Sequence, residues 1–135
     1  MSVAEIKKLK VTEIMDKPVI NTEDSNLELV YTQLLATPQE MVAIVDDQNA
    51  LKGVVTKTRI MKGLLDQGKR AKIGEVMYKN PVSIKDNQTI EDAIQILNEN
   101  KLDKAPVVDS NGKLVGVVSR ESMLRKVGSR LSLRL

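Results

Sequence analysis

Two short stretches hold the residues best suited to chemistry. "GVVTKTR" runs from Gly53 to Arg59, and "GVVSRES" runs from Gly116 to Ser122. In each, an apolar run of strand character ends on a hydroxyl, Thr56 or Ser119, and a helical stretch follows at once. A helix starting there leaves its first backbone N–H groups unpaired and exposes the positive end of its dipole. An anion such as a phosphate can sit at such an end without other special chemistry. An ordinary N-cap needs the same hydroxyl, so Thr56 and Ser119 support a structural reading alongside the binding one.

The residue types that are absent exclude several kinds of site. Without Cys or His, thiolate nucleophiles, Ser–His pairs and thiolate or imidazole metal sites are impossible. Tyr31 and Tyr78 are the whole aromatic inventory, too few for a row of base-stacking platforms. The clustered carboxylates, Asp46-Asp47 and Glu91-Asp92, fall at a turn and a helix start, where they have ordinary roles. No catalytic residue and no metal ligand is therefore assigned, and a carboxylate–metal enzyme is the least favoured class. A chain of 135 residues is one domain's worth. No apolar run approaches the roughly 18 residues of a bilayer span. "MSVAEIKKLK" lacks the apolar region of a secretory signal. A cytoplasmic protein without membrane contact is the expectation, and the lack of cysteine agrees.

The elements that must position Thr56 and Ser119 occur twice. Shifting the chain by 63 positions lays Pro18 on Pro81, Glu28 on Glu91, Leu34 on Leu97, Val45-Asp46 on Val108-Asp109 and Gly53-Val54-Val55 on Gly116-Val117-Val118. Such a register across helix and strand patterns marks two copies of one unit. Each copy reads βαββα, an α+β pattern. An extended "PVIN" or "PVSI" precedes a helix capped by Ser25 with Glu28, or by Thr89 with Asp92. Leu27, Val30, Tyr31, Leu34 and Leu35 keep one apolar helix face, as do Ile90, Ala93, Ile94 and Leu97. Strands "MVAIV" and "APVVD" follow, then turns "DDQN" and "SNGK"; in the latter both Asn111 and Gly112 accept positive φ. The returning strands feed the last helices. One copy alone has a marginal core, so the two are expected to pack together by pseudo-twofold symmetry. The division is an N-terminal segment 1–10, repeats at 11–66 and 73–128, a linker 67–72 and a basic tail 129–135.

These motifs resemble a tandem pair of CBS (cystathionine-β-synthase) domains, often called a Bateman module. The first copy shows "VTEIMDKPVI" and "VAIVDDQNALKGVVTKTRI"; the second shows "IGEVMYKNPVS" and "APVVDSNGKLVGVVSRESM". The resemblance covers roughly Val11 to Val127. It implies a non-catalytic module, frequently a homodimer, that senses AMP, ATP, S-adenosylmethionine or a similar ligand in clefts between the repeats and regulates an effector protein. No cofactor is required. The resemblance puts a flat adenine against Val19, Ile20 and Val42 in one cleft and Val82, Ser83 and Ala105 in the other. The first copy departs from the pattern with Ala43 where the second has Pro106. Nucleotide-binding members place a ribose-binding aspartate three residues after the hydroxyl, where this chain has Arg59 and Ser122. An arginine can only donate, and a serine accepts weakly.

Charge supplies the alternative. From Lys57 to Lys72 six Lys or Arg face Asp66 alone, and from Arg120 onward five face Glu121. Lys57, Arg59, Lys62, Arg120, Arg125 and Lys126 would draw phosphorylated ligands towards the two hydroxyls. The same blocks, with Lys69-Arg70 and the tail, could instead bind nucleic acid or an acidic protein.

Overall fold

The computed structural model describes residues 1–130, which form two compact α+β units. The Thr56 unit comprises Pro18–Pro81 with Gly112–Leu114. The Ser119 unit comprises Met1–Lys17, Val82–Asn111 and the chain from Val115 onward. Each repeat is thus completed by the segment that precedes the other repeat in sequence.

In the Thr56 unit the strands β1 (Ile20–Asn21), β2 (Met41–Val45), β3 (Leu51–Thr56) and β4 (Tyr78–Lys79) form one sheet in that order. β1 runs parallel to β2, while β2–β3 and β3–β4 are antiparallel. β2 is buried along its whole length, as an unbroken "MVAIV" requires. Helix α2 (Leu27–Leu35) buries Leu27, Val30 and Leu34 against that sheet, and α3 (Lys57–Gln67) buries Ile60 and Gly63. Complete burial of each large aliphatic side chain stabilises by about 1.5–3 kcal/mol. The segment before the second repeat closes the core: Ile73, Val76 and Met77 join the same cluster. Its backbone is tied on by the Leu27 N–H to the Ala71 carbonyl and the Ile73 N–H to the Ser25 carbonyl.

The Ser119 unit repeats the plan. α1 (Val3–Lys7) precedes β5 (Ile84–Lys85), α4 (Ile90–Glu99), β6 (Lys104–Val108), β7 (Leu114–Ser119) and α5 (Arg120–Arg130). The sheet order is β5-β6-β7, and Asp16 pairs with Val117 as Tyr78 pairs with Val54 in the other unit. Ile6, Val11 and Ile14 from the N-terminal segment share a core with Ile84, Leu97, Val107 and Met123.

Three local expectations are corrected. Ser25 and Glu28 do not cap α2; Asn26 does, its side chain accepting the Leu29 N–H at 2.9 Å, because the Ser25 hydroxyl is bonded to Asn21. The second turn does not use positive φ at both Asn111 and Gly112. Only Gly112 takes it, matching Asn49 in the first turn, while Asp109 and Asp46 carboxylates accept the Asn111 and Gln48 N–H groups. Among the predicted helix faces, Leu35 (61% exposed) and Ile94 (39%) are turned to solvent. The Thr89–Asp92 capping box is present as expected. Of the basic tail, Ser129 and Arg130 end α5; residues 131–135 lie outside the described residues.

Candidate functional site

The candidate residues separate into one group per unit. In the Thr56 unit the Val19 carbonyl accepts the Ala43 N–H at 2.8 Å, and Ile20 lies in register with Ala43. Across β2 and β3, Val42 is opposite Val55, Ala43 opposite Val54, and Met41 opposite Thr56. The parallel pairing therefore holds Val19 and Ile20 beside the strand whose neighbour ends on Thr56. Val42 and Ala43 are core, whereas Ile20 is 45% exposed and Val19 half-buried. The surface open to a flat apolar group is Val19-Ile20.

Thr56 is the N-cap of α3, but the bond from the Arg59 N–H to Oγ1 is long, at 3.4 Å. The Arg59 side chain is pinned within its own unit. Its Nε donates to the Val76 carbonyl at 2.6 Å, and its guanidinium carbon lies 4.5 Å from the centre of the Tyr78 ring. Pairing of Val54 with Tyr78 fixes that ring beside α3. Arg59 has no carboxylate partner, and its Nη hydrogens make no bond among the described residues.

In the Ser119 unit the cap is tighter. Ser119 Oγ accepts the Ser122 N–H at 2.9 Å, and Ser122 Oγ accepts the Ser119 N–H at 3.0 Å while donating to the Ser119 carbonyl at 3.0 Å. Ser122 is completely buried, so its hydroxyl serves the cap. Ile84 is in register with Val107 and Lys85 with Val108 in a parallel pair, so Val82 and Ser83 lead into β5 from the end of β6 that holds Ala105 and Pro106. Ala105 and Pro106 are buried, Ser83 is half-buried and Val82 is 37% exposed.

Much of the positive charge is compensated locally. Lys126 Nζ lies 3.0 Å from Asp16 and donates to the Met15 carbonyl at 2.8 Å; Arg125 contacts Asp16 at 3.2 Å and Glu121 at 3.5 Å. Arg120 is 3.6 Å from Asp103, and Lys57 3.0 Å from Glu40. The attraction that bare helix cations would exert is correspondingly reduced, for nucleic acid and small anions alike. The clustered carboxylates are structural too. The Ala50 N–H holds the Asp46 carboxyl below its ordinary range, and the Thr89 N–H does the same for Asp92. No group of three or more acidic residues fit to hold a metal ion exists among the described residues. Sequence reasoning missed Val76, Tyr78 and Asp16, whose partners on α3 and α5 lie far away in the chain.

Residues 73–129 match the family model described as the CBS domain. The solved CBS domain pair of protein MJ0100, in complex with 5′-methylthioadenosine and S-adenosyl-L-methionine, superposes with a TM-score of 0.76 at 26% identity, covering 88% of this chain and 99% of that one. The chain is a tandem CBS domain pair. Another solved structure, CBSX2 of Arabidopsis thaliana in complex with AMP, shares the fold of this CBS pair with a TM-score of 0.79 at 24% identity, covering 93% and 99% of the two chains. The uncharacterized protein MJ1232 of Methanocaldococcus jannaschii is 30% identical over 131 residues. That match takes in 96% of the CBS pair but spans only 43% of the relative's length. No helix among the described residues is long and apolar enough to cross a membrane.

Proposed function

We propose that this CBS pair is a non-catalytic regulatory module that binds an adenosyl or phosphorylated small molecule. The observation that carries the reading is the duplicated junction: a hydroxyl-capped helix start, at Thr56 and again at Ser119, each in one unit with a partly exposed extended stretch, Val19-Ile20 or Val82-Ser83. The helix start suits a phosphate or ribose oxygen, and the extended stretch suits a flat apolar base. Val42, Ala43, Ala105 and Pro106 back these surfaces as core. Arg59 supplies donors for an anionic group, and Ser122 acts through the cap that orients Ser119. The AMP complex of CBSX2 and the S-adenosylmethionine complex of MJ0100 support the choice of ligand class.

The module works as a homodimer in the cytoplasm and transmits the bound state to an effector protein. Leu65 on α3 is 80% exposed and Leu124 on α5 is 76% exposed, apolar surface that a second copy would cover. A ligand shifts the arrangement only by its differential affinity for the two states. The test is thermal melting with AMP, ATP, S-adenosylmethionine and 5′-methylthioadenosine. At a hundred times its dissociation constant a ligand adds about 2.7 kcal/mol of stability. At least one of the four is expected to raise the melting temperature; four unchanged melts overturn the reading.

A further inference from the structure

The charges on α3 run against its dipole. Arg59 and Lys62 occupy its N-terminal half, where the dipole favours anions, and Asp66 sits in its last turn, where it favours cations. These three residues, at spacings of three and four, share one helix face. Opposite that face stands the 3-10 turn Ile73–Glu75, and between them lies a pocket of about 90 Å³ bordered by Arg59, Lys62, Asp66, Gln67 and Glu75. Gly63 and Val76 form its buried floor. Two cations and two carboxylates thus surround one small volume. None of the four forms an ion pair among the described residues. Arg59 is also pre-positioned, because its Nε bond to Val76 and the Tyr78 ring hold the guanidinium while its Nη fork stays unbonded.

We propose that this pocket is a binding site for a small zwitterion, the ammonium and carboxylate of an amino acid. A lone anion would be drawn by Arg59 and Lys62 and repelled by Asp66 and Glu75; a lone cation would meet the reverse. A zwitterion satisfies both pairs. Its carboxylate takes the Arg59 fork, a planar double donor matched to that group, and its ammonium takes Asp66 and Glu75. The bound carboxylate then lies toward the positive end of the helix and the ammonium toward its negative end, the arrangement that the helix dipole favours and that the protein's own charges reverse. The volume admits a group of a few heavy atoms, which restricts the ligand to a small amino acid or to the amino-acid end of a larger molecule. Arg59 and Lys62 also figure in the adenosyl reading, but Asp66, Gln67 and Glu75 do not, and the site stands without that reading.

The experiment is amide NMR titration of the intact protein with glycine, β-alanine and γ-aminobutyrate, with acetate and methylammonium as single-charge controls. At least one zwitterion is expected to shift the Gly63, Gln67, Glu75 and Val76 amides saturably, with a half-saturation about tenfold or more below either control. Lys62→Ala should weaken that binding. The exposed pair Asp66→Asn with Glu75→Gln should weaken the zwitterion and strengthen acetate. The three side chains are exposed and make no hydrogen bond or ion pair among the described residues, so the melting temperature of each variant is expected to match the parent's. Equal shifts from acetate and the zwitterions, no saturable shift from any probe, or zwitterion binding unaffected by the double substitution would each overturn the proposal.

Discussion

Replacing each repeat's strand glycine by alanine should give two different costs. At Gly53 an added Cβ would lie 2.5 Å from Met77 Sδ, 2.7 Å from the Tyr78 carbonyl oxygen and 2.9 Å from Met77 Cγ. The Tyr78 carbonyl belongs to β4, which pairs with β3 at this point, Gly53 opposite Lys79 and Val54 opposite Tyr78. Relief therefore needs a strand to move. At Gly116 the nearest atoms are the Sδ and Cγ of Met15, a flexible and half-buried side chain, and the Asp16 carbonyl stands back at 3.2 Å. Overpacking of a tight site costs about 1–3 kcal/mol. The loss of unfolded-state freedom on replacing glycine returns about 0.4–1 kcal/mol. Gly53→Ala should thus destabilise by about 1–2 kcal/mol and Gly116→Ala by less than about 1 kcal/mol. Urea unfolding at unchanged m-value reads both. Met15→Ala should remove the cost at Gly116, whereas Met77→Ala should leave part of the cost at Gly53 because the carbonyl remains. Gly53→Ala as stable as the parent, or a larger cost at Gly116, would refute the packing account.

Ser122→Ala should destabilise by about 1–3 kcal/mol in the same unfolding assay, since it removes a fully buried hydroxyl and strips the half-buried Ser119 N–H of its acceptor. Asp92 titrates below its ordinary value of 3.8 because the Thr89 N–H, and then the Thr89 hydroxyl, bond its carboxylate. Its stabilisation is therefore complete above that value and lost as pH falls through the lowered one, so Asp92→Asn should flatten the acid limb of a stability–pH curve, whereas Thr89→Ala, which keeps the N–H, should flatten it only in part and cost about 1 kcal/mol through the lost cap. The proposed homodimer predicts a dimer's sedimentation coefficient for the parent and a monomer's for Leu65→Asp with Leu124→Asp; a monomeric parent or an unchanged double variant would refute that arrangement.

The duplicated pattern made the architecture readable, because a shift of 63 positions aligned glycine, strand and hydroxyl in both repeats and put Thr56 and Ser119 at the two helix starts where they stand. What failed was local choice among near-equivalent polar residues. Ser25 and Asn26 can both cap a helix; Asn21, brought close by the β1–β2 pairing, takes the Ser25 hydroxyl and leaves the cap to Asn26. Pairing over long chain separations was equally invisible. Arg59 reads as a surface helix residue until β4 brings Tyr78 beneath it, and Lys126 reads as free charge until Asp16 arrives from 110 residues earlier in the chain. The acceptor role assigned to Ser122 depended on burial, which the pattern "GVVSRES" does not encode.

Calorimetric titration of the intact protein with AMP and with S-adenosyl-L-methionine bears most directly on ligand sensing. Saturable heat from at least one of them, diminished by Thr56→Val or Ser119→Ala, is the predicted result. Flat titrations with both, from protein shown to be folded, would contradict it.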